Sequence, residues 1–189
     1  MSVARSDIGI VRASIVIVNY KGEKVLPGLL ASISRMRMRE MFEVILVDNA
    51  SGDGSISFCK ESYPWVKVIA LNMNMGYAGA CNVGAAVAGA DYVAFLNNDM
   101  IVDERWGECL LSILDGDRSV GVCGSMILSS NGQSIQECGM TVDLCGYPLP
   151  LPGPFDRPRE AFYVGGGALM TRSFLFRRLG GFDDAFFSF

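Results

Sequence analysis

The sequence predicts an α/β fold: a mostly parallel, twisted sheet with helices on both faces. Three observations lead there. From residue 14 to residue 96, short β-branched or aromatic runs alternate with helical stretches, strand–helix–strand–helix–strand–helix–strand, the pattern of a parallel sheet wound with helices. Three of those runs end in polar residues, Asn19-Tyr20, Asp48-Asn49 and Asn97-Asn98-Asp99, as parallel strands do where their carboxyl ends open on a ligand crevice. The chain has 189 residues, of which 50% are hydrophobic, enough for one domain with a sizeable core and too few for two.

The elements follow in order. S-I-V-I-V-N-Y (14–20) is a β-branched run expected to be buried on both faces. Val25, Leu29, Leu30 and Ile33 then recur at helical spacing. Phe42–Val47 is the second strand, and the polar loop 48–55 leads into a helix near Ser55. Val66–Leu71 is the third strand. A glycine- and asparagine-rich turn, Asn72–Gly79, precedes a helix of small residues over Ala80–Ala88, and Tyr92–Leu96 is the fourth strand. Beyond Asp103, Trp106–Leu114 reads as a helix and Val120–Met126 as a strand. Residues 129–160 are rich in Gly, Pro and polar groups and read as an excursion from the domain. The run Val164–Arg172 returns to the sheet behind three glycines, which suggest close backbone approach. A helix around Ser173–Leu179 precedes the closing G-G-F-D-D-A-F-F-S-F.

Composition removes several function classes. The formal charge is −4 with both signs interspersed, unlike the clustered basic surface of a nucleic-acid binder. No apolar run reaches the ~18 residues of a membrane span, and Asp7 and Arg12 interrupt the N-terminus where a secretory signal needs an apolar segment. A cytoplasmic site of action is therefore expected. With no histidine, Ser-His-Asp and Cys-His catalysis are out, and acid–base work falls to carboxylate, tyrosine or lysine. The six cysteines show no C-x-x-C pairing and read as reduced, mostly core-filling residues rather than a zinc site. Neither a G-x-G-x-x-G after the first strand nor a G-x-x-x-x-G-K-[ST] occurs, which removes the dinucleotide fold and the P-loop.

Several residues are candidates for chemistry. Asp99 at a strand end is suited to a hard cation, because Mg2+ and Mn2+ prefer oxygen ligands and bridge carboxylates to phosphates; an Asn-Asn-Asp turn is the plainer reading. Asp48 is able to accept from a ribose or base, or simply to cap a helix. Asn19 and Tyr20 face either a base or the core. The run Asn74 to Gly84, with Gly76, Gly79 and Asn82, places glycines where backbone approaches closely, and a helix N-terminus there offers N–H groups to an anion; packing alone also accounts for it.

In sequence order, S-I-V-I-V-N-Y, V-D-N-A-S-G-D-G-S, N-M-G-Y-A-G-A-C-N-V-G, F-L-N-N-D-M and G-G-F-D-D-A-F-F-S-F resemble the family-2 glycosyltransferases of the GT-A fold, in particular their bacterial rhamnosyltransferase-like members. The resemblance implies transfer of a sugar, with rhamnose favoured, from a dTDP- or UDP-sugar to a hydroxyl of a saccharide or lipid-linked acceptor. The reaction would be metal-assisted and inverting, in polysaccharide or glycolipid synthesis. It implies that Val18, Asn19, Tyr20 and Asp48 contact base and ribose, and that Asn74 and the turn Gly76–Asn82, with Gly79 within it, line the nucleotide pocket. Asn97, Asn98 and Asp99 stand at the family's D-x-D position, with Asp99 holding a divalent cation, Mg2+ or Mn2+. Gly165–Gly167 and Gly180–Asp184 would border the acceptor. One domain over 1–189 is expected, with a donor-binding part (14–103) and an acceptor-side part (104–189) incomplete at its C-terminus. The Asp of a Glu-Asp pair expected as general base falls beyond Phe189, so no catalytic residue is assigned within the chain. The expectation divides between part of a longer enzyme, peripheral at the inner membrane face, and a silent module that binds donor without transferring sugar.

Overall fold

The computed structural model describes residues 10–187. Residues 1–9 of the N-terminal reading, and Ser188-Phe189 of the final motif, lie outside them. Strands β1 (Ala13–Asn19), β2 (Phe42–Asp48), β3 (Val66–Ala70) and β4 (Tyr92–Asn97) alternate with helices α1 (Leu26–Ser34), α2 (Ser55–Ser62) and α3 (Gly76–Val87). Helix α4 (Trp106–Gly116) leads to β5 (Val122–Gly124), shorter than the expected Val120–Met126. The excursion is not irregular throughout: it carries two small antiparallel hairpins, β6 (Ile127–Leu128) with β7 (Ile135–Glu137), and β8 (Met140–Val142) with β9 (Pro148–Pro150). Strand β10 (Ala168–Arg172) and helix α5 (Ser173–Arg178) follow, with Tyr163 in an isolated bridge to Met140 and Gly166-Gly167 in a turn before the strand rather than at its start.

The main sheet runs β3-β2-β1-β4-β10-β5. Pairs β1–β2, β1–β4 and β2–β3 are parallel, while β10 is antiparallel to both β4 and β5. One reversed strand in an otherwise parallel sheet has a consequence for the site. The carboxyl ends of β1, β2 and β4 share an edge, and the amino end of β10 arrives at that same edge, with Ala168 opposite Leu96.

Side-chain alternation along the strands divides the core in two. Ile15, Ile17, Val44, Leu46, Ala94, Leu96 and Met170 face α1 (Leu26, Leu29, Leu30, Ile33) and α4 (Trp106, Leu110, Leu111, Leu114). Val16, Val18, Ile45, Val47, Val93, Phe95 and Leu169 face α3 (Ala80, Cys81, Ala85). All seven residues of β1 are buried, which is why its sequence is a continuous rather than alternating apolar run. Helix α3 lies close on the sheet, because a Cβ on Gly84 would collide with Val16 Cγ1. No helix among the described residues is long and apolar enough to cross a membrane.

The six cysteines are free. Cys59, Cys81 and Cys123 are buried as expected, whereas Cys109 and Cys145 are exposed. Burial pushes the Cys59 thiol up to about 11 and the Cys81 and Cys123 thiols up to about 12. The thiolate is the reactive species, so native protein treated with a thiol reagent at pH 8 should label first at Cys109 and Cys145 and leave the three buried thiols unmodified, read by peptide mass mapping. A second expectation concerns packing. Gly84→Ala should destabilise the fold by about 1–3 kcal/mol through overpacking, more than the helix-propensity gain of up to about 1 kcal/mol, measured by denaturant unfolding.

Candidate functional site

The site begins with a problem of burial. Asn19 is fully buried and Asp48 is 2% exposed, and a carboxylate taken out of water needs hydrogen bonds. Register places the two side by side, Asn19 opposite Asp48. Asn19 Nδ2 donates to Asp48 Oδ1 (2.9 Å) and to Ser51 Oγ (3.2 Å). Ser51 donates to the same carboxylate through Oγ (2.6 Å) and its backbone N–H (3.1 Å). Asn98 Nδ2 completes the chain by donating to Asn19 Oδ1 (2.9 Å). The ends of β1, β2 and β4 are thereby tied into one network. Gly22 is required beside it, since a Cβ there would meet both Asn19 Oδ1 and Asn98 Nδ2. The turns after β1 and β2 each carry a non-glycine residue at positive φ, Lys21 (51°) and Ala50 (61°), a conformation that costs of order 1–3 kcal/mol and clusters at functional sites.

The start of α3 forms the second wall. Helix α3 begins at Gly76, four residues before the expected Ala80, because two asparagine side chains satisfy its first N–H groups. Asn49 Oδ1 accepts from Met75 N (2.8 Å), Asn74 Oδ1 accepts from Gly76 N (2.8 Å), and Asn49 Nδ2 donates back to Asn74 Oδ1 (2.9 Å) and Gly76 O (3.0 Å). Tyr77 N donates to Phe187 O (2.7 Å). The expectation of free N–H groups for an anion is therefore corrected for these three residues: protein oxygens already hold them. Gly76 sits at φ 73° where a Cβ would collide with Phe187 O.

The glycine turn before β10 forms the third wall. Gly167 O accepts from Asn97 N (2.9 Å), Gly166 O accepts from the Tyr77 hydroxyl (2.7 Å), and Gly165 N donates to Glu137 Oε1 (2.6 Å). Burial first, then the neighbouring Cys81 thiol and Asp99 carboxylate, hold the Tyr77 hydroxyl far above the ordinary tyrosine range. It stays protonated and acts as a donor, which removes it as a general base.

Between these walls lies a cavity of about 300 Å3. Of the residues singled out from sequence, Val18, Tyr20, Asn74, Gly76, Asn97, Asn98 and Asp99 line it. Asn49, Tyr77 and Phe187 line it too; Tyr77 falls within the Gly76–Asn82 turn expected at the nucleotide pocket, while Asn49 and Phe187 were not singled out for it. The D-N and G-Y pairs in the sequence point to Asn49 and Tyr77, but only tertiary structure brings Phe187 there. Asn19 and Asp48 lie behind the wall as its support, and Gly79 and Asn82 fall outside the lining. Gly79 packs against Met75, and Asn82 bonds the backbone of Phe182. Asp183, expected to border the acceptor, is held in its own turn by Ala185 N (3.0 Å).

Asp99 is exposed at the cavity, and no described hydrogen-bond donor occupies its carboxylate. Among the described residues no three His, Cys, Asp or Glu side chains gather as a metal cluster. The donor set is thus one carboxylate with neighbouring carboxamides, which fits Mg2+ or Mn2+, ions that keep several waters and complete their shell with substrate phosphates. A cavity of about 330 Å3 opens at the opposite edge of the sheet, by Tyr92, Arg172 and Arg177. There Arg172 Nη2 is bonded to the Leu114 and Asp117 carbonyls and Arg177 Nη2 to the Ala88 carbonyl, so these arginines hold helix ends.

Comparisons with known proteins agree with this geometry. The profile of the family described as Glycosyl transferase family 2 matches residues 14–177. The chain is 26% identical to an N-acetylglucosaminyl-diphospho-decaprenol L-rhamnosyltransferase of Mycobacterium tuberculosis, over 93% of this chain and 66% of that protein. It is 25% identical to the low-salt glycan biosynthesis hexosyltransferase Agl10 of Haloferax volcanii, over 93% of this chain and 57% of the relative. Among solved structures, S. aureus TarS 1–349 in complex with UDP superposes with a TM-score of 0.72 at 18% identity, covering 93% of this chain and 51% of that one. The mannosyltransferase PcManGT from Pyrobaculum calidifontis, in complex with GDP-Man and Mn2+, gives 0.68 at 19% identity, covering 96% and 50%. The fold is that of the GT-A glycosyltransferases, and the chain spans between half and two thirds of these proteins' lengths.

The support network gives a prediction of its own. Asp48→Ala leaves Ser51 N buried without its acceptor and removes one of the two acceptors of Asn19 Nδ2, and should lower stability by about 1–3 kcal/mol, measured by urea denaturation.

Proposed function

Since the chain belongs to glycosyl transferase family 2, we propose that its cavity binds a nucleotide-sugar donor and serves sugar transfer to a hydroxyl acceptor. The observation that carries this reading is the charge inventory of the cavity. Its described lining holds carboxamides, aromatic rings, glycine and one free carboxylate, Asp99, with no lysine or arginine. A diphosphate has two or more negative charges to offset, and this wall has no side-chain cation for them. Asp99, helped by Asn97 and Asn98, would hold a divalent cation, Mg2+ or Mn2+, which supplies that positive charge as the diphosphate leaves. The Mn2+ in the mannosyltransferase neighbour supports the same choice.

The chain's own residues do the rest. Tyr20, just after β1, offers a ring face to a base, and Val18 offers apolar contact at the strand's end. Asn74 keeps its amide nitrogen for the ribose or base, its oxygen being engaged in the α3 cap. Asp48 and Asn19 act from behind, through Asn98. Residues 14–103 are read as the donor part and 104–189 as the acceptor part of one GT-A domain. Direct in-line displacement with inversion is the mechanism proposed. The name of the mycobacterial relative supports rhamnose as the sugar, carried by dTDP, and a lipid-linked saccharide acceptor in glycolipid or polysaccharide synthesis, reached at the cytoplasmic face of a membrane.

The test is calorimetric titration of UDP, dTDP and GDP, each with and without Mn2+. One nucleotide should bind in a Mn2+-dependent way, and Asp99→Ala should cut that affinity by about 100-fold or more, beyond the 10–100-fold typical of outer-shell partners. Unchanged affinity in Asp99→Ala with Mn2+ present would remove the metal role.

A further inference from the structure

Asn82 lies on α3 outside the cavity, yet its carboxamide makes a paired contact with a residue a hundred positions away. Asn82 Nδ2 donates to Phe182 O (2.8 Å) and Asn82 Oδ1 accepts from Phe182 N (2.9 Å). One planar amide that bonds both backbone groups of a single residue fixes that residue's position and its orientation together. The neighbouring Gly181 stands at φ 81°, and a Cβ there would come within 2.5 Å of Asn82 Oδ1, so conformation and space both demand glycine. The Phe182 ring packs 4.9 Å from Phe95 and 5.1 Å from Phe176, and Phe95 lies on β4, the strand that ends at Asn97. Five residues after the clamp, the chain reaches the start of the same helix, where Phe187 O accepts from Tyr77 N (2.7 Å) and Phe187 becomes a wall of the cavity.

We propose that Asn82 is a positioning residue: by clamping the Phe182 backbone it seats the segment Gly181–Phe187 so that Phe187 closes the donor cavity. The inference rests on the reading of that cavity as the nucleotide-sugar site. Phe187 is 58% exposed and a single backbone hydrogen bond joins its carbonyl to α3, so its placement depends on how short its tether is. With the clamp, the free span is 183–186. Without it, the last backbone tie before Phe187 moves back past Phe182 to Gly181 N, which donates to Phe176 O (3.0 Å), and Phe182 itself is held only by its ring packing. Each residue released adds conformational entropy that opposes closure.

The test is a double-mutant cycle on the whole chain, reading the Kd of UDP, dTDP and GDP with MnCl2 by calorimetry. Asn82→Ala and Phe187→Ala should each weaken the nucleotide that binds by roughly tenfold, and the double variant should also lose only roughly tenfold, because both changes remove the same wall. Independent effects would multiply to roughly 100-fold, and that result, or unchanged affinity in Asn82→Ala, overturns the positioning role. If the alanine variant melts early, Asn82→Asp takes its place in the cycle, since it keeps an acceptor for Phe182 N and loses the donor for Phe182 O. A wild-type chain that binds none of the three nucleotides overturns the donor-site reading itself, and this inference with it.

Discussion

A carboxylate buried at 2% exposure must be satisfied from within, and the site is arranged around how Asp48 achieves this. Its partners come from the loop that follows its own strand (Ser51) and from the end of the adjacent strand (Asn19). Asn19 passes the constraint on to Asn98, one residue before Asp99. The position of Asp99 at the cavity is thus set by hydrogen bonds that begin two strands away. A low-dielectric surrounding makes such a network costly to leave incomplete, which favours a single arrangement of the three strand ends.

The same edge collects the glycine turn before β10 because β10 runs against its neighbours. An antiparallel β10 begins where β4 ends, so the glycine turn before it meets Asn97, Tyr77 and Glu137 at once. Glycine suits a turn approached from three sides: a Cβ on Gly165 would collide with the Glu137 carboxylate, and one on Gly167 would press on Asn97. The excursion, helix α3 and strand β4 are all fastened to a turn of three residues.

Much of this was legible in the sequence, for physical reasons. Buried parallel strands read as continuous apolar runs, and β1, β2, β3 and β4 were placed within a residue or so of where they lie. Polar residues at their ends marked the right edge of the sheet. Less legible was everything that depends on a distant partner. Glycines and asparagines from residue 72 onward read as a turn, but α3 starts at Gly76 because Asn49, from another loop, caps it. The residue type of Asp48 or Asn82 does not reveal whether its side chain lines a cavity or supports one. Phe187 lies in the closing G-G-F-D-D-A-F-F-S-F motif, but nothing local places it at this cavity, since its contact there is with Tyr77 on a distant helix. The reversal of β10 was equally hidden, because strand direction is a tertiary property.

The claim on which the account depends is that metal and nucleotide meet at the carboxyl ends of β1, β2 and β4. Paramagnetic broadening of backbone amide signals by Mn2+, recorded with and without the bound nucleoside diphosphate, tests it most directly. A metal held at these strand ends gives nucleotide-dependent loss of signal from Asn97, Asn98, Asp99, Gly76 and Gly167, with the amides of Gly89 to Tyr92 at the far edge unaffected. Broadening centred on Tyr92 and Arg172, or no nucleotide-dependent broadening anywhere, would contradict it.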